Sequence, residues 1–376
     1  MRVLLGGSPC TYWSSARTKD RETKPEGLGW ELFENYEIAL EKFRPDFFLY
    51  ENNKSMAPAI RERITAELGV EPILINSALV SAQSRWRLYW TNIPGVEQPE
   101  DCGILVRNIL ESGVSWKEKA YTLRASAGQH QGISNILRSI TTNGKFGYLG
   151  AAEPVRIGVI ENAAQNAAFD SRQYRVYSPS GKSVTLSGTD GGLGAGTGLY
   201  AVPASSPALQ TGEASAKTKP IYEVLNGQIT IKGQRYPIDL MDGWYIIRKL
   251  TALECMRLQT VPEDYIFPVS DTQAYKMLGN GWTVDVIAHI LSYCPGITEE
   301  PLRVLSMYDG MSCGRLALDK LGASVSSYYA TEIDKYAIKT TQLNYPDTIQ
   351  LGDAFQVREH GWRLPEPPKV LTAAAG

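Results

Sequence analysis

Apolar and polar positions alternate in short blocks over the first 95 residues. Residues 2–5 form an apolar run that predicts a strand, and Gly6-Gly7 break it. Residues 11–29 are polar and basic and read as a loop, whereas "WELFENYEIALEKF" (30–43) carries apolar residues at helical spacing. "PDFFLYENN" predicts a second strand, 57–68 a helix, and "EPILINS" a third strand. "RLYWTNIPG" is an aromatic-rich strand closing in a Pro-Gly turn. Strands alternating with helices predict an α/β layer built on a parallel sheet.

The pattern changes between 96 and 245, where Gly, Ser, Thr and Ala dominate and helical periodicity is weak. This stretch predicts a smaller, loop-rich β domain inserted into the α/β body. Within it, "KAYTLRASAGQHQG" (119–132) and "KSVTLSGTDGGLGAG" (182–196) resemble each other, as a duplicated strand-loop or by coincidence. Helical patterns return at 251–259 and 272–293. Three strand-to-helix units then follow: "PLRVLSMYDGMSCGRLALDKLGA" (301–323), "VSSYYATEIDKYAIKTTQLNYP" (325–346) and "IQLGDAFQV" (349–357). The expected segments are therefore 1–95, 96–245, 246–295 and 296–376. Units of the kind that open such a sheet stand last in the chain.

Composition narrows the chemistry. The 38 basic and 40 acidic residues nearly cancel, so any nucleic-acid surface has to be a local basic face. Five cysteines, at 10, 102, 255, 294 and 313, are odd in number and scattered without a CxxC pair or a His/Cys cluster. That predicts free thiols, a reducing compartment and no metal. No apolar run approaches the ~20 residues that span a bilayer, and a soluble cytoplasmic protein is expected.

Candidate chemistry concentrates at strand ends, where α/β sheets place their sites. The turn "DGMSCG" (309–314) lacks the GxGxxG spacing of a pyrophosphate-binding loop, which disfavours a dinucleotide. Glu332 closes the next strand, where a carboxylate can take two ribose hydroxyls, and Asp353 follows the third, within reach of an exocyclic amine. In order, the three describe an adenosine site; singly, each acid reads as solvated surface. Cys10 follows a strand, a Gly pair and Pro9, and reads either as a nucleophile or as a buried thiol. A nucleophile must be a thiolate, and Arg17, Lys19, Arg21 and Lys24 in the following loop are cations to favour one. None of the three histidines, 130, 289 and 360, is near in sequence, which disfavours a Cys-His protease. Glu51 ends a strand and is a candidate general acid; Glu51-Asn52-Asn53 equally suits a helix N-cap cluster. Gln83, Arg85 and Arg87 alternate in "QSRWR", so a strand puts them on one face and Trp86 on the other. That arrangement suits phosphate or base contacts, or simply a charged sheet edge.

Together these motifs resemble the DNA (cytosine-5-)-methyltransferase family. "VLSMYDGMSCG" resembles motif I, Glu332 in "YYATEID" motif II, and Asp353 in "LGDAF" motif III. "GGSPC" resembles motif IV, "YENN" motif VI, "QSRWR" motif VIII, "RKLTALECMRLQTVPEDY" motif IX and "GNGWTVDVIAHIL" motif X. "GGSPC", "RLYWTNIPG" and the Gly-x-Trp of motif X are most similar to the animal de novo branch. The order IV, VI, VIII, variable region, IX, X, I, II, III implies a circular permutation with neighbouring termini and a Cys10 loop pinned by strands on both sides.

The resemblance implies a class I S-adenosylmethionine-dependent methyltransferase fold: α/β, with a mixed, mostly parallel sheet. It implies that Cys10 adds to carbon-6 of a flipped cytosine while Glu51 contacts N3, and that carbon-5 is methylated from S-adenosylmethionine without a metal. Arg85 and Arg87 would hold the loop, the base oxygen and the phosphate. The cofactor would meet Pro9, Tyr308, Asp309, Gly310, Ser312, Gly314, Glu332, Ile333, Asp353, Ala354, Asn280 and Trp282. Double-stranded DNA would meet Ser8, Ser14, Arg17, Asn52, Gln83, Gly192 and Gly194, with 96–245 as target-recognition domain and the chain acting as a monomer, in a bacterial or phage restriction-modification setting. Two departures stand out: Asn53 where the family has Val after Glu-Asn, and Gly281 where Ser commonly follows Asn. An RNA cytosine methyltransferase and a silent DNA-binding homologue are the alternatives; retention of Cys10, Glu51 and both arginines favours an enzyme.

Overall fold

The computed structural model describes residues 1–123 except 16 and 18, together with 133–143, 147, 149–154, 156–159, 175–177, 199–200 and 221–366. The chain divides into two compact units. One comprises Met1–Leu105, Thr122–Gly128 and Ala252–Gly376; the other comprises Val106–Tyr121 and Gln129–Thr251.

The first unit is built on a seven-stranded sheet. Its strands are β1 (Arg2–Gly6), β2 (Phe47–Asn53), β3 (Ile73–Asn76), β4 (Trp86–Thr91), β13 (Leu302–Met307), β14 (Val325–Thr331) and β15 (Ile349–Gly352), in the spatial order β15-β14-β13-β1-β2-β4-β3. The first strand of the chain therefore lies inside the sheet, parallel to β13 on one side and β2 on the other. Register pairs Leu4 with Leu305 and with Phe48. Strand β4 runs antiparallel between β2 and β3, so the sheet is mixed and mostly parallel, as the motifs implied. Continuous apolar runs such as "VLL" suit a strand covered on both faces, and Val3, Leu4 and Leu5 are fully buried.

Helices cover both faces of this sheet. Helices α1 (Leu28–Phe43) and α2 (Pro58–Leu68) bring Phe33, Tyr36, Ile60 and Ile64 into one core with Leu4, Tyr50, Trp90 and Leu305. On the opposite face the segment 272–293, read above as helical, is divided into α6 (Asp271–Asn280) and α7 (Val284–Ser292). The break falls at Gly281, which adopts extended backbone (φ −63, ψ 163) and ends α6. Helix α5 (Ala252–Leu258) precedes them, and α8 (Cys313–Lys320), α9 (Lys335–Asn344) and α10 (Ala354–Glu359) each follow a strand of the β13–β15 series. Gly314 lets α8 pack closely: a Cβ there would lie 2.8 Å from Leu5 Cδ1.

The second unit carries α3 (Val106–Ile109), α4 (Ile133–Thr141) and an antiparallel sheet of β5 (Gly150–Pro154), β9 (Ile221–Leu225), β10 (Gln228–Ile231), β11 (Gln234–Pro237) and β12 (Gly243–Lys249), ordered β11-β10-β9-β12-β5. Its two tight hairpins turn at Asn226-Gly227 and Lys232-Gly233, where all four residues have positive φ. Two-residue turns of this kind match the twist of the flanking strands. Strands β6 (Arg156–Val159), β7 (Arg175–Tyr177) and β8 (Leu199–Tyr200) form a separate small sheet. The similar stretches at 119–132 and 182–196, Gly192, Gly194 and the final "KVLTAAAG" fall largely or wholly outside the described residues, so the expected proximity of the termini does too.

Because Leu4 is fully buried at the centre of this sheet, Leu4→Ala is expected to destabilise the protein by about 2–5 kcal/mol. A lowered urea midpoint with an unchanged slope would report it.

Candidate active site

Strand β1 ends at Gly6, and Gly7-Ser8-Pro9 lead into a 3₁₀ turn that begins at Cys10. Both glycines are required by close approach. A Cβ on Gly6 would lie 2.8 Å from the Tyr36 ring, and one on Gly7 would lie 2.7 Å from the Glu51 carbonyl oxygen. The Cys10 thiol is pushed above its ordinary value by burial. Arg87, and more weakly Arg85, pull it down again, while Glu51 pushes it up. The cations that favour its thiolate thus come from the β4 region, not from the following loop as expected. The loop arginines are engaged on backbone carbonyls: Arg17 Nε donates to Lys19 O (2.9 Å), Arg21 Nε to Trp13 O (3.0 Å) and Arg21 Nη2 to Ser55 O.

Glu51 lies on β2 opposite Tyr89 of β4, which makes Arg87 its diagonal cross-strand neighbour. Arg87 Nε pairs with Glu51 Oε1 at 2.8 Å, and Trp282 Nε1 donates to Oε2 at 2.9 Å. Trp282, expected at the cofactor, therefore holds the carboxylate from the turn between α6 and α7. Arg85 is buried just before β4 and has a different task. Its Nη1 donates to the carbonyls of Leu123 and Gly279 (both 3.2 Å) and its Nη2 to that of Gly281 (2.9 Å). Burial lowers its value to about 10, which leaves it cationic at neutral pH. Gly281 fits this packing, since a Cβ would press to 3.1 Å from both Cys313 Sγ and Met277 O.

Three residues expected at DNA, Ser8, Asn52 and Gln83, are buried and hydrogen-bonded within the protein. Ser8 Oγ bonds Tyr50 OH at 2.7 Å, and Asn52 Nδ2 donates to Ser8 O at 3.1 Å. Gln83 is fully buried; its Nε2 donates to Leu258 O (3.3 Å) and its Oε1 accepts from Leu123 N (3.1 Å). Buried polar groups must be satisfied internally, and these are. Ser14 and Arg17 stay half-exposed on the Cys10 loop, with the Ser14 amide donating to Cys10 O at 2.9 Å. Sequence reasoning also missed Tyr50, whose hydroxyl anchors Ser8; an aromatic in "FFLY" gives no sign of a polar role.

The ends of β13, β14 and β15 form a second cluster. Tyr308 adopts φ +59, rare for a bulky residue, and its hydroxyl donates to Leu32 O of α1 at 2.7 Å. Asp309 accepts from Tyr328 OH (2.8 Å) and from Ser312 Oγ, and burial pushes its carboxyl up to about 6. Asp309 and Ser312 thus brace the turn from within. Gly310, at φ +60, has open space where a Cβ would stand, and its N–H donates to Glu332 Oε2 at 2.8 Å. Glu332 Oε1 accepts from the amides of Ile333 (2.8 Å) and Asp334 (2.7 Å), while the Ile333 side chain is 75% exposed. Asp353 caps α10 through Phe355 N (3.0 Å), and Ala354 begins that helix buried. Pro9 and Asn280 are exposed. Among the described residues no group of His, Cys, Asp and Glu is arranged to hold a metal, and no helix is long and apolar enough to cross a membrane.

A mixed α/β sheet with a Gly turn and ordered acids at its carboxyl edge is the class I S-adenosylmethionine-dependent methyltransferase fold. The model of C-5 cytosine-specific DNA methylases matches residues 1–70 and 96–295, and the chain belongs to that family. The segment carrying β13–β15 lies outside this match. The chain is 27% identical over 165 residues to the DNA (cytosine-5)-methyltransferase DRM2 of Oryza sativa subsp. japonica, covering 40% of this chain and 27% of that protein. It is 60% identical over 40 residues to the type II methyltransferase M.SsoII of Shigella sonnei, which is 11% of each. The chain thus spans well under half the length of these relatives. Among solved structures, the Entamoeba histolytica methyltransferase EhMeth aligns over 77% of this chain and 76% of its own, at 11% identity and a TM-score of 0.37.

The charges around Cys10 have opposite, separable effects. Arg87→Gln should move the pH profile of Cys10 alkylation by iodoacetamide to higher pH, and Glu51→Gln should move it lower. Mass spectrometry of the Cys10 peptide across pH 6–10 (roughly, the range that brackets an ordinary thiol) reads both.

Proposed function

We propose that this chain is a DNA methyltransferase that transfers a methyl group from S-adenosylmethionine to carbon-5 of cytosine in duplex DNA. The observation that carries the reading is Glu51, fixed from two sides by Arg87 and Trp282 at the strand end against which Gly7 of the Cys10 segment packs. The Cys10 thiolate adds to carbon-6 of the base, while Glu51, entering in its protonated form, gives its proton to N3 and is left as the carboxylate that Arg87 and Trp282 hold, so the charge developing on the ring is neutralised. Arg87 keeps that carboxyl aimed, and the addition leaves carbon-5 electron-rich; it would take the methyl group of the bound cofactor, whose sulfonium would leave as the neutral thioether S-adenosylhomocysteine. Loss of the carbon-5 proton to a base then expels Cys10 and restores the ring.

The carboxyl edge of β13–β15 fits the adenosyl part of this cofactor. Gly310 leaves open space at its Cα, and the Glu332 oxygens, held by three backbone amides, retain lone pairs for ribose hydroxyls. Ile333 presents an exposed apolar side chain beside them. When bound, S-adenosylmethionine supplies the electrophilic methyl group. The base has to leave the duplex, at a cost of a few kcal/mol. We assign its sequence-specific reading to the stretch 96–245, whose Gly-rich composition suits loops that reach base edges.

We also read the chain order as a circular permutation of the family's. Support comes from β1, which enters the sheet between β13 and β2 although it is first in sequence. The Asn280 and Pro9 positions stay with the cofactor pocket in this reading, and Ser14 and Arg17 with the DNA.

Bisulfite sequencing of DNA from cells expressing the chain tests the function and should show methylated cytosines within one short sequence context. Cys10→Ala should abolish the signal, and Glu51→Gln should lower the rate by about 10²–10⁴-fold. Methylation unaffected by Cys10→Ala, or label transferred to tRNA in preference to duplex DNA, would overturn the proposal.

A further inference from the structure

Asn53, the residue that departs from the Glu-Asn-Val pattern, lies at the end of β2 and is buried. Its Nδ2 donates to Asn52 Oδ1 at 3.0 Å, and its Oδ1 accepts from Ser55 Oγ at 2.7 Å. Ser55 Oγ in turn accepts the backbone N–H of Ser15 at 3.0 Å, and its carbonyl accepts from Arg21 Nη2. Arg21 then reaches back to Trp13 O at 3.0 Å. Asn52, next door, holds Ser8 O at 3.1 Å. Two consecutive residues at one rigid strand end therefore grip the Cys10 loop on both sides of the cysteine, at Ser8 and at Ser15.

We infer that Asn53 and Ser55 form a latch that positions the Cys10 loop for nucleophilic attack. This rests on the reading of Cys10 as the nucleophile. Ser55 can satisfy Ser15 because its own proton is taken up by Asn53, which orients the hydroxyl lone pair toward the loop amide. A valine at 53 offers no acceptor, so Ser55 would lose that orientation and the loop would lose its side-chain grip at Ser15, keeping those at Ser8 and at the Ser55 carbonyl. Asn53 and Ser55 are positioning residues; neither is assigned a contact with the reacting atoms. Trp13 explains why the grip is worth having. It is fully buried and its Nε1 donates to Glu22 Oε2 (3.0 Å), so the loop has a packed anchor, and the latch adds a hydrogen-bonded hold two residues further on, at Ser15.

The test uses the full chain and four variants: Asn53→Val, Ser55→Ala, the double variant, and Ser55→Thr, which retains the hydroxyl. Hydrogen exchange read by mass spectrometry on the DNA-free protein should accelerate at least tenfold across 13–24 in Asn53→Val and in Ser55→Ala. Exchange in β1 and β2 should stay unchanged. Single-turnover methyl transfer should slow about tenfold in each, with the KM for S-adenosylmethionine within twofold of wild type. The double variant should be no worse than either single one, because the two residues act as one unit, and Ser55→Thr should keep both readouts near wild type. Unchanged loop exchange in Asn53→Val or Ser55→Ala would overturn the latch, as would losses that add in the double variant. A wild-type protein that transfers no methyl group would count against the proposed reaction instead, while the exchange measurement would still decide whether the loop is held as described.

Discussion

A carboxylate enclosed by protein is costly unless its oxygens are paired and hydrogen-bonded, and Glu51 meets that demand with partners drawn from two other parts of the chain. Arg87 approaches along β4 and Trp282 from the turn that divides α6 from α7, 231 residues away in sequence. The pairing ties β2 and β4 to the α6–α7 turn, and it fixes the charge that Cys10 senses. Arg85 makes the same join a second time by gripping the carbonyls of Gly279 and Gly281. Gly7 has to lack a side chain because it lies against Glu51. Much of the local architecture follows from keeping this one carboxyl in place.

The apolar runs marked the strands of the first unit well, because strands buried on both faces read as unbroken hydrophobic blocks. The glycine pair before Cys10 and the strand-end acids Glu51, Glu332 and Asp353 do lie at strand ends of that sheet. What the pattern could not show was direction: "RLYWTNIPG" reads as a strand without revealing that it runs antiparallel, which is what sets Arg87 diagonally from Glu51. Nor did it divide residues 272–293 into two helices, a break that falls where Gly281 takes extended backbone close against Cys313. Polar residue types told least about which way a group faces. Ser8, Asn52 and Gln83 look like contacts for a substrate because their types are right, yet their groups are used inside the protein. Trp282 was placed near the site for a different reason from the one its indole N–H displays.

The distribution of polar groups also bears on how such a site works. Catalytic groups that keep their geometry before the substrate arrives spend no energy on reorganisation during the reaction. Around Cys10 and Glu51, internal hydrogen bonds run from Tyr50 through Ser8, Asn52, Asn53 and Ser55 to the loop beyond the cysteine. At the other cluster, Tyr328 and Ser312 hold Asp309, which shapes the turn that exposes Gly310. In both places buried side chains brace the backbone, and the groups left for ligands are few.

The central claim is that Cys10 forms a covalent bond to carbon-6 of cytosine. It is tested most directly with a duplex library in which 5-fluorocytosine replaces cytosine. After methylation such a base has no carbon-5 proton to lose, so Cys10 cannot be expelled. Incubation with S-adenosylmethionine followed by denaturation and peptide mass spectrometry should find a methylated fluorocytosine nucleotide attached to the Cys10 peptide. Recovery of that peptide unmodified from a preparation that methylates ordinary DNA would contradict the account.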